Sequence, residues 1–532
     1  MTIAERPLQK RRYRDLREHI AALEEAGLLY RVERAINKDT EMHPLVRWQY
    51  RGGIPEERRK AWLFTNVVDS TGKRYEAPVL VGGFAGTRRI YALGMGCPLE
   101  EVGARWEAAF KNPIEPIIVE DAPAQEVVYT GEALQRWGGL FNLPVPISTP
   151  GYDNAPYLSS AHFITKDPET GVRNCGNYRG QLKSATTLGV YYVPHANDAA
   201  VHWAKAKARG EHLPVAIVIG APAPVAYAAV NRMPIELDEL AVAGGLVGEP
   251  MRLVKCKTVD LEVPAESEVV IEGHIRTDFL EPEGPFGESH GFVHPRSESP
   301  LIEISAITHR RDYIWTSFIS QVTPSESSVI KIVAFEPMFL NFLRNDCGVK
   351  SVVKVVMHEA LTNIRPVFFL QFRNPTDGEV WRALKLASGF KTGVGKIIIA
   401  VDEDIEPTNL DAILWALAYR MIPHKDVQII RGYDKGHAPP FEEIPAMENS
   451  VMLVNATLRH KLPPISLPKR EFMENSLKIW NELGLPPVTP QPPWHGYSLG
   501  DWWEELDEEA ALATQGRWAE TGAKLAQQRK PI

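Results

Sequence analysis

The chain reads as a mixed α/β protein made of three successive textures. Apolar strands and helices alternate regularly from 366 to 430, the pattern of a βαβαβ run and hence of a parallel sheet with covering helices. From about 125 to 325, short strands dominate and helices are few, which predicts a barrel-like sheet. At 532 residues the chain exceeds what one hydrophobic core holds, so two to four domains are expected.

The elements follow in order. Leu16, Ile20, Leu23 and Leu28 fall near helical spacing and predict an amphipathic helix over 12–36. A mixed region follows, with an apolar strand at 78–81 running into Gly82-Gly83-Phe84-Ala85-Gly86, and 113–120 begins the connection to the β-rich part. There, 159–165, a turn at 167–171 and 173–182 read as a hairpin. Strands are expected at 214–220, 261–263 and 269–275, with a short helix at 237–246. The βαβαβ run comprises strands 366–372, 396–401 and 427–430 and helices 378–390 and 410–421. After Pro463 the chain is rich in proline and tryptophan and ends in a polar helical segment, 504–528. These boundaries predict domains at 1–124, 125–328 and 329–465, with 466–532 as a tail that docks on a neighbouring subunit or folds back on its own core.

Composition excludes several function classes. Hydrophobic content of 44% with 24% charged residues is ordinary for a globular protein. A net charge of −8 argues against a general nucleic-acid binder. No apolar run approaches the roughly 20 residues that span a bilayer, and the first residues lack an apolar signal core, so a cytoplasmic protein is expected. Cys97, Cys175, Cys256 and Cys347 form no CxxC pair, which speaks against a zinc ribbon or a disulfide framework.

The strongest chemical signal is Glu283-Gly-Pro-Phe-Gly-Glu288. Two carboxylates stand five positions apart across a segment whose glycines open unusual backbone conformations and whose proline stiffens it. Carboxylates held close have their pKa values pushed apart, so one can carry a proton near neutral pH. Arg179, in Asn174-Cys-Gly-Asn-Tyr-Arg, offers a planar fork for a carboxylate. On a regular strand Asn174 and Arg179 would face opposite sides, so one site could use both only by wrapping the strand or through a bulge at Gly176. Asn174, His195 at a strand end and Glu239 on the short helix form a mixed O/N set suited to Mn²⁺, Mg²⁺ or Fe²⁺, although a lone histidine at a strand end is more often structural. The segment 389–396 is not a P-loop: five residues separate its outer glycines, and Ile397 stands where Ser or Thr is required. Lys396 could still reach a phosphate, and His290 could tune Glu288. Tyr191-Tyr192 and 335–342 could line an apolar pocket, and 432–440 could cover it.

Taken together, NCGNYRGQL from 174, VPHANDAAVHW from 193, PVAIVIGAPA from 214, LDELAVAGGL from 237 and EGPFGESHGF from 283 resemble, in order, the UbiD family of decarboxylases, which use prenylated FMN. The resemblance runs from the first helix to about residue 465 and is strongest across 174–293. It implies an N-terminal α/β domain, a central split β-barrel that binds the flavin, and a C-terminal α/β domain with a helical tail. It also implies that Asn174, His195 and Glu239 hold a divalent metal, usually Mn²⁺, which with K⁺ anchors the cofactor phosphate, and that Lys396 lies near that phosphate.

By the same resemblance Arg179, Glu283 and Glu288 match the family's Glu-Arg-Glu network beside the flavin. The expected reaction is reversible, non-oxidative decarboxylation through a covalent adduct with prenylated FMN, with Glu283 protonating the product carbon. An aromatic acid, an aryl-CoA thioester or an α,β-unsaturated acid would be the substrate. Homodimers or homohexamers and a flavin prenyltransferase as cofactor supplier are implied too. Open alternatives are the carboxylase direction, a non-catalytic subunit of a multi-subunit complex, and a metal-dependent hydrolase built on Asn174, His195 and Glu239.

Overall fold

A computed structural model describes residues 14–192, 198–231, 233–362, 366–390, 395–432, 449–489, 500 and 502–530. The chain separates into two compact units, Met1–Phe339 with Met357–Arg365, and Leu340–Val356 with Pro366–Ile532.

The first unit opens with helix α1 (Leu16–Glu25), capped by Asp15, whose side chain accepts from Glu18 N. The helix ends eleven residues before the expected limit. Gly27 takes φ +68, Leu28 N bonds back to Leu23 O at 2.8 Å, and the chain turns into strand β1 (Leu29–Val32). With β2 (Ala61–Phe64) and β3 (Val79–Val81) it forms part of a four-stranded sheet.

The central sheet has nine strands. Its path contains β5 (Tyr157–Leu158), β6 (Ala161–Lys166), β7 (Arg173–Asn177), β8 (Gly180–Leu182), β9 (Thr187–Val190), β10 (Leu213–Ile219), β11 (Val269–Ile275) and β16 (Leu301–His309); β4 (Val127–Thr130) pairs with β16. The spatial order is β7-β6-β10-β11-β16-β9-β8-β5. Strand β7 is therefore at one edge and β8 next to the other, yet only Tyr178 and Arg179 separate them. The step from Asn177 to Gly180 spans at most about 11 Å of extended chain. Two ends of an eight-strand path can be that close only if the sheet curls round, giving the half-barrel. The expected hairpin is present as β6 and β7, in antiparallel register with His162 opposite Asn177. The single strand expected over 173–182 is two strands, broken at Tyr178-Arg179.

Short ladders rise from this sheet: β12 (Glu281–Glu283) pairs with β15 (Ser297–Ser299), and β13 (Phe286–Gly287) with β14 (Val293–His294). After β16 the chain returns through β17 (Trp315–Ser317), which joins β3 in parallel in the first sheet. Ser317 Oγ then meets Ser159 Oγ and His43 Nε2, each at 2.9 Å. One hydrophobic core runs through both sheets, from Phe64, Val79 and Val81 to Phe163, Ile217, Ile271 and Trp315.

The second unit holds β18 (Val352–Met357), β19 (Val367–Phe372), β20 (Ile397–Asp402), β21 (Val427–Arg431) and β22 (Ser450–Asn455) in the order β18-β19-β20-β22-β21. The expected strands and helices are found, but the sheet is not wholly parallel. Strand β22, absent from the expectation, takes the inner place beside β20, and β21 runs antiparallel to it at the edge. Burial explains the choice: Val451 and Leu453 are fully buried, whereas Ile429 on β21 faces solvent. The tail forms helices at Arg470–Glu482, Glu504–Thr514 and Trp518–Ala526, none with a buried residue. The single helical segment expected over 504–528 breaks at Gly516, φ +76. Among the described residues no helix is long and apolar enough to cross a membrane.

Candidate active site

The two glycines of the 283–288 turn are required for different reasons. Gly284 takes φ +99, a region costly for residues with a Cβ. At Gly287 the backbone is ordinary, but a Cβ would lie 2.2 Å from Thr149 Oγ1. Between them, Phe286 packs against Tyr157 with ring centroids 4.4 Å apart. The turn thus leaves β12 with the Glu283 side chain fully buried and returns Glu288 to a half-buried position. Glu283 passes over Gly189, where a Cβ would come within 3.2 Å of its Cγ.

Arg179 sits in the seam where the half-barrel's two edges meet. Its Nε donates to Glu283 Oε1 at 3.0 Å and its Nη2 to Glu283 Oε2 at 2.5 Å, a bidentate pair, while Nη1 donates to Glu288 Oε1 at 2.5 Å. The guanidinium lies 4.3 Å from the Tyr191 ring centroid and 5.2 Å from that of Phe286. A buried charge is tolerated when it is paired and hydrogen-bonded, and here all three are. Burial alone would lower the arginine's pKa, but Glu288 and Glu283 outweigh it and push it further up. For Glu288, burial acts upward, and Arg179 and His290 overcome it, holding this carboxyl below the usual carboxylate range. The problem of opposite strand faces does not arise, because Arg179 lies beyond the end of β7.

Asn174 is buried on β7 opposite Thr165, with its Nδ2 lacking a hydrogen-bond partner. Glu239 begins the helix Glu239–Val247, and its Oε2 accepts from Cys175 N at 2.8 Å, so it lies against the residue next to Asn174. Burial pushes Glu239 up to about 8 despite that bond. Glu239 has no ion pair among the described residues, and a buried acid beside a buried amide with an open polar atom suits a hard divalent ion. His195 lies outside the described residues, as do 433–440 of the segment expected to cover the site. Among the described residues no three His, Cys, Asp or Glu side chains cluster as a metal site. Lys396 precedes β20 in the second unit. His290 Nδ1 accepts from Phe292 N at 3.3 Å.

The segment 149–157, to which the sequence assigned no element or role, contacts the turn at several points. Asp153 is its buried acid, pushed up to about 6 by burial against the pull of the Gly287 and Thr149 N–H groups. A Pro-Gly-Tyr-Asp-Asn string signals only a turn, so nothing in it marks the partner 130 residues away.

Comparison with known proteins places this architecture. Three family models match in order: the 3-octaprenyl-4-hydroxybenzoate carboxy-lyase N-terminal domain over 20–110, the Rift-related domain over 117–322 and the C-terminal domain over 332–454. The chain belongs to the UbiD family of carboxy-lyases. An uncharacterised protein of Synechocystis is 29% identical over 540 residues, covering 96% of both chains. An uncharacterised protein of Archaeoglobus fulgidus is 30% identical, over 79% of this chain and 86% of its own. Among solved structures, the UbiD-class enzyme HmfF of Pelotomaculum thermopropionicum in complex with FMN is 29% identical, with a TM-score of 0.75 over 87% of this chain and 99% of its own. An evolved dimeric form of HmfF, in complex with prFMN, is 30% identical, with a TM-score of 0.73 over 86% and 97%. Vanillic acid decarboxylase of Sedimentibacter hydroxybenzoicus, in its closed form, is 28% identical, with a TM-score of 0.74 over 89% and 100%.

Proposed function

We propose that this chain is a carboxy-lyase that decarboxylates an aromatic, aryl-CoA or α,β-unsaturated carboxylic acid reversibly and without net oxidation, using prenylated FMN. The observation that carries the reading is Arg179 bonded at once to Glu283 and Glu288, in a buried seam of the half-barrel. Asn174 and Glu239, with His195, would hold a divalent ion such as Mn²⁺, accompanied by K⁺, at the cofactor phosphate. Prenylated FMN, when bound, accepts the electron pair left as CO₂ departs, which no side chain of this site can do.

The protein's own groups account for the rest. Among the described residues, the bonds to Glu283 and Glu288 use three of the five N–H groups of Arg179, and the remaining two can orient a substrate carboxylate. Glu288 keeps Arg179 aimed. Glu283, once it has taken a proton from solvent, gives that proton to the carbon that lost CO₂, so a C–H bond replaces the C–C bond and the carboxylate returns to its pairing with Arg179. Such general acid catalysis contributes about 10²–10⁴-fold. The division of the chain at 125, 329 and 466, an oligomer with the tail as a subunit contact, a cytoplasmic setting and a flavin prenyltransferase as supplier belong to the same reading.

The test is CO₂ release from a panel of arene, heteroarene and acrylic acids and aryl-CoA thioesters, with the protein reconstituted with prenylated FMN. At least one substrate should turn over, and Glu283→Gln should keep the flavin absorbance while losing at least about 10²-fold in kcat. Wild-type turnover in that variant would remove Glu283 as donor. No turnover of any acid would remove the reading itself.

A further inference from the structure

The turn that carries both acids does not hold itself. Four backbone groups between Glu283 and Glu288 are bonded by side chains from elsewhere. Gly287 N donates to Asp153 Oδ1 at 2.8 Å, and Asn154 Nδ2 donates to Gly284 O at 2.8 Å. Tyr157 OH donates to Pro285 O at 3.3 Å, and Gly284 N donates to Gln181 Oε1 at 3.4 Å. Gln181 in turn donates from Nε2 to Asn154 Oδ1 at 2.7 Å, closing the ring.

Three of these four side chains, Asp153, Asn154 and Tyr157, belong to one short segment, which is itself braced. The second oxygen of Asp153 accepts from Thr149 N at 2.6 Å, and Asp153 N donates back to Thr149 O at 3.0 Å. Gly151, at φ +92, lets the loop close between them. The Asp153 carboxylate thus joins two loops, one oxygen on each. Thr149 also presses on Gly287 so closely that no side chain fits there. This is more contact than a turn needs to be satisfied, since water serves the backbone of an ordinary surface turn equally well.

We propose that Asp153 and Asn154 are positioning residues for the reaction: they hold the 283–288 turn in register with Arg179, so that Glu283 meets the product carbon at the right place. The inference rests on the proposed decarboxylation. Neither residue bonds to Arg179, Glu283 or Glu288 side chains, so each acts through backbone position alone. Loss of either anchor lets the turn drift, and a misplacement of about 1 Å costs about 10²-fold in rate.

Two readouts on the full chain test this. Hydrogen exchange of the amides of 284–288 should rise about tenfold or more in Asp153→Ala and Asn154→Ala, while the β10 amides at 213–219 keep wild-type rates. With reconstituted enzyme, kcat should fall about 10²-fold while KM stays within about twofold and flavin content is unchanged. Asp153→Asn, which keeps an acceptor for Gly287 N–H, should recover at least about tenfold of that loss. Should Asp153→Ala fail to fold, Asn154→Ala and Asp153→Asn carry the same readouts. Unchanged exchange at 284–288, unchanged kcat, or a raised KM at constant kcat would each overturn the proposal. If the wild type turns over no acid, the decarboxylase reading fails while the exchange experiment still decides whether the segment holds the turn.

Discussion

At the residue scale, the two acids of the turn differ in what surrounds them. Glu283 is fully buried with both oxygens on one guanidinium, whereas Glu288 shares a single bond with Arg179 and feels His290 as well. Arg179 foremost, with His290 acting in the same direction, lowers the pKa of Glu288 from the ordinary 4.5. A carboxyl with a depressed folded-state pKa adds stability above its unfolded value and loses it as pH falls through the folded value. The stability difference between the wild type and Glu288→Gln should therefore be greatest above pH 4.5 and shrink as pH falls below it, followed by urea unfolding across pH 3–7. A gap that stays constant over that range would mean that Glu288 is not held ionised by Arg179 and His290. Arg179→Lys is no conservative change here: a lysine offers a point charge where a fork now grips Glu283 at two points and Glu288 at a third.

At the scale of elements, the site depends on how tightly the sheet curls. Strand β11 carries an irregularity between Glu272 and Gly273 in its pairing with β16, and such bulges bend a strand and increase its twist. A Cβ at Gly273 would stand 2.1 Å from the Glu303 carbonyl oxygen, a backbone atom with no room to yield. Gly273→Ala should cost about 2–3 kcal/mol, read from the urea midpoint at unchanged m. An unaltered midpoint would show that the two strands slide apart freely at this bulge. This geometry also explains what sequence could and could not disclose. Strands β10 and β11 are apolar runs bounded by Pro, Gly and charged residues, and their limits are legible to within a residue. The break at Tyr178-Arg179 is not, because β-strand periodicity carries no sign that the next three residues pair with the far edge. The order of β21 and β22 is equally silent, since it is set by which strand buries more. The identities of Arg179, Glu283 and Glu288 could be taken from motif order, but the Asp153 and Asn154 contacts could not, because they are long-range bonds to backbone atoms.

At the scale of the whole molecule, the described part of the tail meets the residues before it where Lys461 Nζ lies 5.2 Å from the Trp503 ring centroid. Its helices bury nothing, yet Trp480, Leu483, Trp502, Trp503, Trp518 and Leu525 all stand exposed. Scattered apolar residues on a surface are normal, but nine large ones among the described residues from 480 to 525 are more than a solvated appendage needs. Tryptophan and leucine at such density are what subunit contacts use, the rings supplying area at little entropic cost. The acidic first turn of Glu504–Thr514, with Glu504, Glu505 and Asp507, argues against a lipid surface as the partner. Deleting 466–532 should therefore reduce the native mass measured by light scattering from that of an oligomer to that of a single chain. Circular dichroism should keep the signal of both sheets, because no described residue of the three tail helices contributes to either core. If the shortened chain retains the wild-type assembly, the contact lies elsewhere and the exposed tryptophans need a different partner.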